Sequence, residues 1–315
     1  MDNECIAIIT GGDSSEREVG LKTAASVVAS YQRLGIDHQV FDVADFREVL
    51  RLNLSGFSRV FIALHGGFGE NGILQGYLDG LKIPYNGPSP QASAICMDKL
   101  LTKYVAHGLG IHVPQFLFYP KDSDISFEDA RKRFGDRFIV KPNAEGCSIG
   151  VSLIKGNFGE FADAVKRASA FGRGVLIEEF IEGQELSVCY FYGQMLPSMA
   201  LTYTDAIFSW GAKYESEDTK KEFVALKPAV QQSVNRDGVA IAKALGLDYY
   251  RNDVIICDGV PYLIEINTLP GLTTHSLFPR ACAKSNVGFD DMVEMLTATN
   301  RRDRSAFELP EIRAL

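Results

Sequence analysis

Two carboxylates and one carboxamide lie in an otherwise apolar stretch, YRNDVIICDGVPYLIEINTLPG, at residues 250–271. Asp253, Glu265 and Asn267 fall on two predicted strands that flank an Asp-Gly turn. A buried carboxylate costs several kcal/mol unless a partner compensates its charge. Carboxylate and amide oxygens are ligands that Mg²⁺ prefers, usually together with substrate phosphates. The stretch therefore predicts a magnesium site, and the alternative is a solvent-facing strand whose acids are hydrated.

The register of this hairpin decides whether the two carboxylates can share an ion. Period-two alternation in YLIEIN predicts one common face for three side chains, Leu263, Glu265 and Asn267. A two-residue Asp-Gly turn would pair Asp253 with Ile264 and direct the two carboxylates to opposite faces. We therefore predict a three-residue turn, 258–260, which pairs Asp253 with Glu265.

A glycine-containing loop joins two predicted strands in FIVKPNAEGCSIG, residues 138–150. Gly146 and Gly150 allow backbone N–H groups to point at an anion, and Lys141 adds a cation at the strand end. The sequence contains no G-x-x-x-x-G-K-[ST], so this loop is not a P-loop. The pattern is typical of phosphate binding, and a plain hairpin is the alternative.

Two weaker signals involve single acids. In IEEFIEGQEL (177–186) an apolar strand ends in a connector whose backbone amides could meet an adenine edge, with Glu185 on a ribose. A charged edge strand would look the same. In GGDSSEREVG (11–20), Glu16 stands near a helix start, where the helix dipole alone favours an acid.

The elements that position these groups alternate between strand and helix at first. The strand CIAIIT precedes a helix with apolar residues at the spacing of one buried face, namely Ala24, Val27, Val28 and Tyr31. Further strands at 38–43 and 59–64 and a helix at 73–81 complete a βαβαβ pattern, which predicts a parallel sheet.

The chain beyond PYNGPSP (84–90) has a different pattern. Later elements are predicted as helices at 91–108, 157–170 and 229–245, and as strands at 137–142, 150–155 and 174–180, with antiparallel strands from there to about residue 270. The predicted fold class is α/β, with α+β character in the C-terminal part.

Composition excludes several classes of protein. The chain has 315 residues, and 32 Lys and Arg against 40 Asp and Glu give a net charge of −8, which repels nucleic-acid phosphates. The sequence has no apolar stretch of membrane-spanning length, and MDNECIAIIT lacks the basic region of a signal peptide. Six cysteines without zinc-site spacing predict free thiols. We expect a cytoplasmic protein without nucleic-acid or membrane partners.

Taken in order, these segments resemble the D-alanine:D-alanine ligases of the ATP-grasp superfamily. The matching motifs are GGDSSEREV, ALHGGFGENGILQG, MDKLLTK (97–103), KPNAEGCSIGV, AKY (212–214) and LIEINTLPGLTTHSLFP (263–279). The resemblance extends from Ile6 to about Val293, and the last motif is the most specific. It implies an N-terminal Rossmann-like domain at 1–88, a central lid domain at 89–176 and a C-terminal catalytic domain at 177–315.

The resemblance implies that ATP phosphorylates one D-alanine and that the amine of a second D-alanine attacks the acylphosphate. ATP would contact Lys99, Lys141, Gly146, Cys147, Ser148, Glu178, Glu179, Phe180, Ile181 and Glu185. Two Mg²⁺ ions, or Mn²⁺ instead, would be held by Asp253, Glu265 and Asn267. The family also implies a homodimer and a role in making peptidoglycan precursors.

The same resemblance implies how the amino acids are bound. Glu16 would hold the ammonium of the first D-alanine beside His65, and Ser276 and Leu277 would hold the carboxylate of the second. The residues implied in catalysis are Glu16, Ser148, Lys213, Tyr214, Arg251 and the N–H of Gly271, the last two forming an oxyanion hole.

Several positions depart from the family pattern. Cys147 stands where Ser is usual, Asn71 where Asp is usual, and Glu179 where Lys is frequent. Two alternatives therefore accompany the ligase prediction. One is a related ligase that joins other amino or hydroxy acids, and the other is a nucleotide-binding protein without turnover.

Overall fold

The structure is a computed structural model, and it describes residues 5–203 and 219–298. Its strands are β1 (Ile6–Gly11), β2 (His38–Val43), β3 (Arg59–Ile62), β4 (Phe116–Tyr119), β5 (Arg137–Pro142), β6 (Ser152–Lys155), β7 (Val175–Glu179), β8 (Gln184–Phe191), β9 (Gln194–Met195), β10 (Met199–Thr202), β11 (Lys220–Phe223), β12 (Tyr249–Cys257) and β13 (Val260–Asn267). Its helices are α1 (Arg17–Leu34), α2 (Phe46–Val49), α3 (Gly67–Glu70), α4 (Ile73–Leu81), α5 (Pro90–Met97), α6 (Lys99–Gly108), α7 (Phe127–Phe134), α8 (Phe158–Ser169), α9 (Pro228–Leu245), α10 (Leu277–Lys284) and α11 (Phe289–Ala298).

The N-terminal sheet is parallel, as the βαβαβ pattern predicts. Its order is β2-β1-β3, and every residue of β1 is buried. Helix α1 covers it with the predicted face, because Ala24, Val27 and Tyr31 are all buried. The ends of β1 and β3 therefore open at one edge of this sheet, where the loops that contain Glu16 and His65 follow.

Two antiparallel sheets make up the rest of the fold. The first has the order β4-β7-β5-β6 and is packed against α7 and α8 through residues such as Phe138 and Phe161. The second has the order β11-β10-β8-β12-β13, with β9 paired to β8. The mixed α/β and α+β class is confirmed.

One hydrophobic core joins the N-terminal sheet to the C-terminal helices. It contains Ile8 and Phe61 from that sheet, Phe191 from β8, Phe278 from α10 and Leu296 from α11. The loops at the edge of the parallel sheet are therefore held against the large antiparallel sheet. In the described ranges, no helix is long and apolar enough to span a membrane.

The predicted helix 91–108 is wrong as a single element. It is two helices, α5 and α6, separated at Asp98, whose backbone is extended (φ −88, ψ 107). The Asp98 side chain accepts a hydrogen bond from the N–H of Leu101 (3.0 Å) and so caps the second helix. The break gives Lys99 the first position of a new helix.

The predicted turn at 258–260 is also wrong, although the pairing it was meant to produce is confirmed. Cys257 pairs with Val260, so the turn has two residues, both with positive φ (50° and 80°), as a type I′ turn requires. A β-bulge beside Asp253 then shifts the register, and Asp253 pairs with Glu265.

The bulge corrects the predicted faces of β13 as well. Leu263 pairs with Val254 and is buried in the core, on the side of the sheet away from Glu265. The extra residue in β13 is Ile264, which lies between the two registers. Strict alternation fails here because a bulge adds one residue to one strand only.

Candidate active site

Two cavities meet at the polar face of the large antiparallel sheet. The loop cavity, about 720 Å³, lies among the loops after β1, β3 and β13 and includes Glu16, His65 and Ser276. The sheet cavity, about 490 Å³, lies between the two antiparallel sheets and includes Lys141 and Glu178. Four side chains line both cavities, and we call them the junction: Lys99, Glu145, Asp253 and Glu265.

Neighbouring strands position the acids of the junction. Arg251 lies two residues before Asp253 on β12, and its Nε and Nη2 donate to Asp253 Oδ1 (2.9 Å) and Oδ2 (3.2 Å). Burial opposes the charge of Arg251, but the Asp253 carboxylate outweighs it, and the pKa of Arg251 is raised. Lys99 Nζ lies 4.0 Å from Glu265 Oε2. The junction is thus densely charged before any ligand binds.

The donor set beside the junction fits a hard divalent cation. Asn267 pairs with Arg251 across the hairpin, so its side chain shares the face of Asp253 and Glu265. Its Oδ1 is buried and has no hydrogen-bond partner in the structure. In the described ranges no three His, Cys, Asp or Glu side chains form a metal-binding group. An ion here would have two carboxylates and an amide from the protein, which suits Mg²⁺ if phosphates supply further oxygens.

A buried ion cluster forms one wall of the sheet cavity. Lys103 Nζ lies 2.9 Å from Glu178 Oε1, and Lys141 Nζ lies 2.9 Å from Glu178 Oε2. Burial would raise the pKa of Glu178, but the two lysines outweigh it and the pKa is lowered. Burial lowers the pKa of Lys103 to about 8 despite Glu178. Glu178 is therefore ionised at neutral pH.

The sequence prediction missed Lys103. A signal was present, because Lys99 and Lys103 are four residues apart in MDKLLTK, and residues at that spacing share one face of a helix. The structure places both ammonium groups on the side of α6 that faces the sheets. Lys99 Nζ also donates to the carbonyl oxygen of Glu145.

The predicted adenine segment lines the sheet cavity from Glu178 to Ile181. Glu179 uses Oε1 to accept a hydrogen bond from the N–H of Gln115 (2.8 Å), which links the segment to β4. The Phe180 ring lies 4.4 Å from the Arg137 guanidinium. Further along the wall, Glu185 Oε2 accepts a hydrogen bond from Tyr203 Oη (2.6 Å).

The loop predicted to bind phosphate crosses from one cavity to the other. Cys147 and Ser148 have positive φ (50° and 59°), so consecutive backbone groups curve tightly. The Cys147 thiol donates to Glu16 Oε1. A Cβ atom at Gly146 would collide with the Glu16 carboxylate, which explains the glycine. Cys147 lines the loop cavity and Ser148 lines the sheet cavity.

His65 is buried in the loop cavity beside α1. Burial, and then the charge of Arg251, lowers its pKa to about 4, so the ring is neutral at physiological pH. Its Nε2 lies 3.0 Å from Thr23 Oγ1, and that oxygen also accepts from the N–H of Leu272 (3.2 Å). His65 therefore links α1 to the loop that follows β13.

Glu70 is a second buried acid in the loop cavity, and the sequence prediction missed it. Its Oε2 accepts from the N–H of Gly66 (2.7 Å) and its Oε1 from the N–H of Leu269 (3.1 Å). Burial and the nearby charge of Glu16 raise its pKa to about 8. Glu70 and Leu269 are 199 residues apart in the sequence, so no local sequence pattern could have predicted their contact.

The remaining predicted residues lie on the opposite wall of the loop cavity. Gly271 and Leu277 line it, and Ser276 is the N-cap of α10. Ser276 Oγ accepts from the N–H of Thr273 (3.2 Å) and lies 2.8 Å from Thr273 Oγ1. Lys213 and Tyr214 lie outside the described residues.

Comparison with known proteins shows which family the chain is similar to. A family described as D-ala D-ala ligase C-terminus matches residues 105–298. The D-alanine--D-alanine ligase of Clostridium botulinum (strain Loch Maree / Type A3) is 34% identical over 293 residues, which is 92% of this chain and 96% of that protein. The crystal structure of the D-alanine--D-alanine ligase from Bacillus anthracis complexed with ATP has a TM-score of 0.84 and 29% identity, covering 96% of this chain and 98% of that chain. A curated Bacillus anthracis ligase of the same name is 31% identical over 304 residues, 95% of this chain and 98% of that protein.

Proposed function

The chain belongs to the D-alanine–D-alanine ligase family, and we propose that it joins two D-alanine molecules while ATP is converted to ADP and phosphate. The observation that carries the proposal is the junction, where Lys99, Glu145, Asp253 and Glu265 line both cavities. A phosphoryl group can pass there from a nucleotide in the sheet cavity to a carboxylate in the loop cavity.

The sheet cavity would hold ATP. Lys99 and Lys141 would bind its phosphates, and the loop of Gly146, Cys147 and Ser148 would cover them. The segment from Glu178 to Ile181 would contact adenine, and Glu185 would accept from the ribose hydroxyls. Glu178 supports this assignment because an ionised carboxylate only accepts hydrogen bonds, and adenine offers an amino group to such an acceptor.

Asp253, Glu265 and Asn267 would hold Mg²⁺ or Mn²⁺, and we propose two ions. Such ions neutralise the charge that develops on transferred phosphoryl groups. The unpartnered Oδ1 of Asn267, on the face of the two acids, supports this assignment.

The loop cavity would hold the two D-alanine molecules. Glu16 would bind the ammonium of the first, and neutral His65 would lie beside it. The N-terminus of α10, with Ser276 and Leu277, would bind the carboxylate of the second, because free N–H groups and the helix dipole favour an anion there. These residues line one continuous cavity with the junction.

The reaction would need positioning and charge neutralisation more than a protein nucleophile. The first carboxylate attacks the γ-phosphorus of ATP, and the amine of the second D-alanine then attacks the acylphosphate carbonyl. Arg251 and the N–H of Gly271 would stabilise the tetrahedral oxyanion before phosphate leaves. Ser148, Lys213 and Tyr214 would also take part in catalysis, and exclusion of water would protect the acylphosphate from hydrolysis.

The product would serve peptidoglycan precursor synthesis in the cytoplasm, and we propose a homodimer. The division into 1–88, 89–176 and 177–315 is also a proposal. The dividing point near residue 176 falls within β7, which belongs to the four-stranded sheet.

Phosphate release with ATP, Mg²⁺ and a panel of D- and L-amino and hydroxy acids tests the proposal. We expect release that depends on D-alanine, with one dipeptide formed per phosphate. Release only with another acid would assign a different ligase activity. ATP binding without release under any condition would contradict catalysis.

A further inference from the structure

Helix α6 begins at the wall of the sheet cavity. The backbone N–H groups of its N-cap, Asp98, and of its first three residues need acceptors outside the helix. Two of them are satisfied nearby, because the N–H of Asp98 donates to the carbonyl oxygen of Ala94 (3.3 Å) and the N–H of Leu101 donates to Asp98 Oδ1 (3.0 Å). The other two donors belong to Lys99 and Leu100. Both of those N–H groups bond to one residue in another element.

That residue is Asn143, directly after β5. Its carbonyl oxygen accepts from Lys99 N (3.0 Å), and its side-chain Oδ1 accepts from Leu100 N (2.9 Å). Its own N–H donates to the carbonyl oxygen of Gly174 (3.1 Å), just before β7. Asn143 is 2% exposed, so water cannot replace these partners. The start of α6 is thereby fixed to the four-stranded sheet.

The contact joins the two elements that supply phosphate-binding cations. Lys99 is the first residue of α6, and Lys141 lies two residues before Asn143 on β5. Each lysine is buried and directed toward the sheet cavity, where Lys141 contacts Glu178 and Lys99 approaches Glu265. A change of even one ångström between β5 and α6 would alter the distance between the two ammonium groups.

We infer that Asn143 is a positioning residue for nucleotide binding, which sets the separation of Lys99 and Lys141 on the triphosphate. The inference rests on the proposed function, which assigns ATP to the sheet cavity and its phosphates to these two lysines. The Asn143 side chain has no ligand contact in this role and acts through the backbone of α6. Removing its Oδ1 leaves the buried N–H of Leu100 without an acceptor and frees the first turn to shift.

Asn143→Ala tests this inference, with Asp98→Ala as a matched control. Each substitution removes one side-chain acceptor from the first turn of the same helix, but only Asn143 links that turn to β5. Titration calorimetry with Mg²⁺ and ATP, in the absence of D-alanine, measures the affinity of each variant. We expect Kd for ATP to rise about tenfold in Asn143→Ala and less than about twofold in Asp98→Ala, with similar losses in Tm.

Equal ATP affinities in Asn143→Ala and wild type, or equal losses in both variants, would overturn the inference and assign Asn143 to helix stability alone. If Asn143→Ala does not fold, Asn143→Ser supports the same comparison, because its shorter side chain withdraws the oxygen from Leu100. We expect its Kd to lie between wild type and the tenfold change. A wild-type chain that binds ATP but forms no dipeptide would contradict the ligase proposal and leave this inference intact.

Discussion

The two cavities that meet at the junction differ in how their charged groups are compensated. In the sheet cavity, Glu178 lies between Lys103 and Lys141, so a buried anion is already paired with cations. In the loop cavity, burial makes His65 neutral and raises the pKa of Glu70. The charged groups of the sheet cavity are thus paired with each other. In the loop cavity, burial disfavours the ionised form of Glu70 until a ligand brings a cation.

This difference corresponds to the ligands that we propose. ATP carries several negative charges and needs fixed cations whose positions do not change when it binds. D-alanine brings its own ammonium, and that cation would favour the ionised form of Glu70. Substitutions should therefore act mainly through charge pairing in the sheet cavity and mainly through protonation in the loop cavity.

The largest effect is expected at the junction, where the two cavities share side chains. Glu265→Gln keeps the shape but removes a charge that both cavities use, so we expect kcat to fall by more than about 1000-fold. Steady-state phosphate release measures it, and circular dichroism should show an unchanged fold. Glu160→Gln, an exposed acid on α8, serves as the control. A Glu265→Gln rate near wild type would contradict the shared-ion arrangement.

In the sheet cavity, Glu178→Gln should reduce stability strongly, because it removes the anion that lies between the buried ammonium groups of Lys103 and Lys141. Breaking a buried ion pair in this way costs about 3 kcal/mol. Urea unfolding measures the loss. The double variant Lys103→Met/Glu178→Gln removes one of these two cations as well, so the net charge of the cluster returns to its wild-type value and we expect part of the lost stability to be recovered. Additive losses in the double variant would show that the pairing is unimportant.

The two cavities also differ in how well the sequence predicted them. Most residues that line the sheet cavity come from three short stretches, 137–155, 177–185 and 250–267, whose strands and loops can be predicted from local sequence. Even there the bulge beside Asp253 was missed, since a two-residue turn and the pairing with β8 jointly determine it. Lys103 was missed because its role depends on Glu178, which is distant in the chain.

The loop cavity depended much more on resemblance. Glu16 and Ser276 follow glycine-containing or polar segments that would equally suit helix capping. Glu70 was missed altogether, because Gly66 and Leu269 come to it only in the folded chain. Loops from four parts of the chain form this cavity, and the shared hydrophobic core, rather than a local pattern, brings them together.

Glu70→Gln tests whether protonation of a buried acid distinguishes the loop cavity from the sheet cavity. Folded Glu70 loses its proton near pH 8, whereas the unfolded side chain loses it near pH 4.5. Between these values the unfolded chain binds fewer protons, so this group makes the protein less stable as the pH rises. We expect Tm to fall less from pH 6.5 to 8 in Glu70→Gln than in wild type, without ligands. Parallel profiles would contradict the raised pKa.

The same variant should lower kcat/KM for D-alanine about tenfold, because the amide cannot accept from both Gly66 and Leu269. Its KM for ATP should change less than about twofold. A change confined to KM for ATP would contradict a role of Glu70 in the loop cavity.

The smallest effect is expected at Cys147, where the loop between the cavities contacts Glu16. Cys147→Ser replaces a weak thiol donor with a hydroxyl and should strengthen that hydrogen bond. We expect kcat/KM for D-alanine to rise by no more than about threefold. Cys257→Ser, at a thiol outside both cavities, is the control. A large loss of activity in Cys147→Ser would mean that the thiol itself takes part in the reaction.

We propose that a phosphoryl group passes across the junction to the carboxylate of the first D-alanine. D-alanine labelled with ¹⁸O in its carboxylate tests it directly, with mass spectrometry of the phosphate released during dipeptide synthesis. Since the acylphosphate oxygen leaves with phosphorus, we expect one ¹⁸O atom in each phosphate. Phosphate without label, formed together with dipeptide, would contradict it.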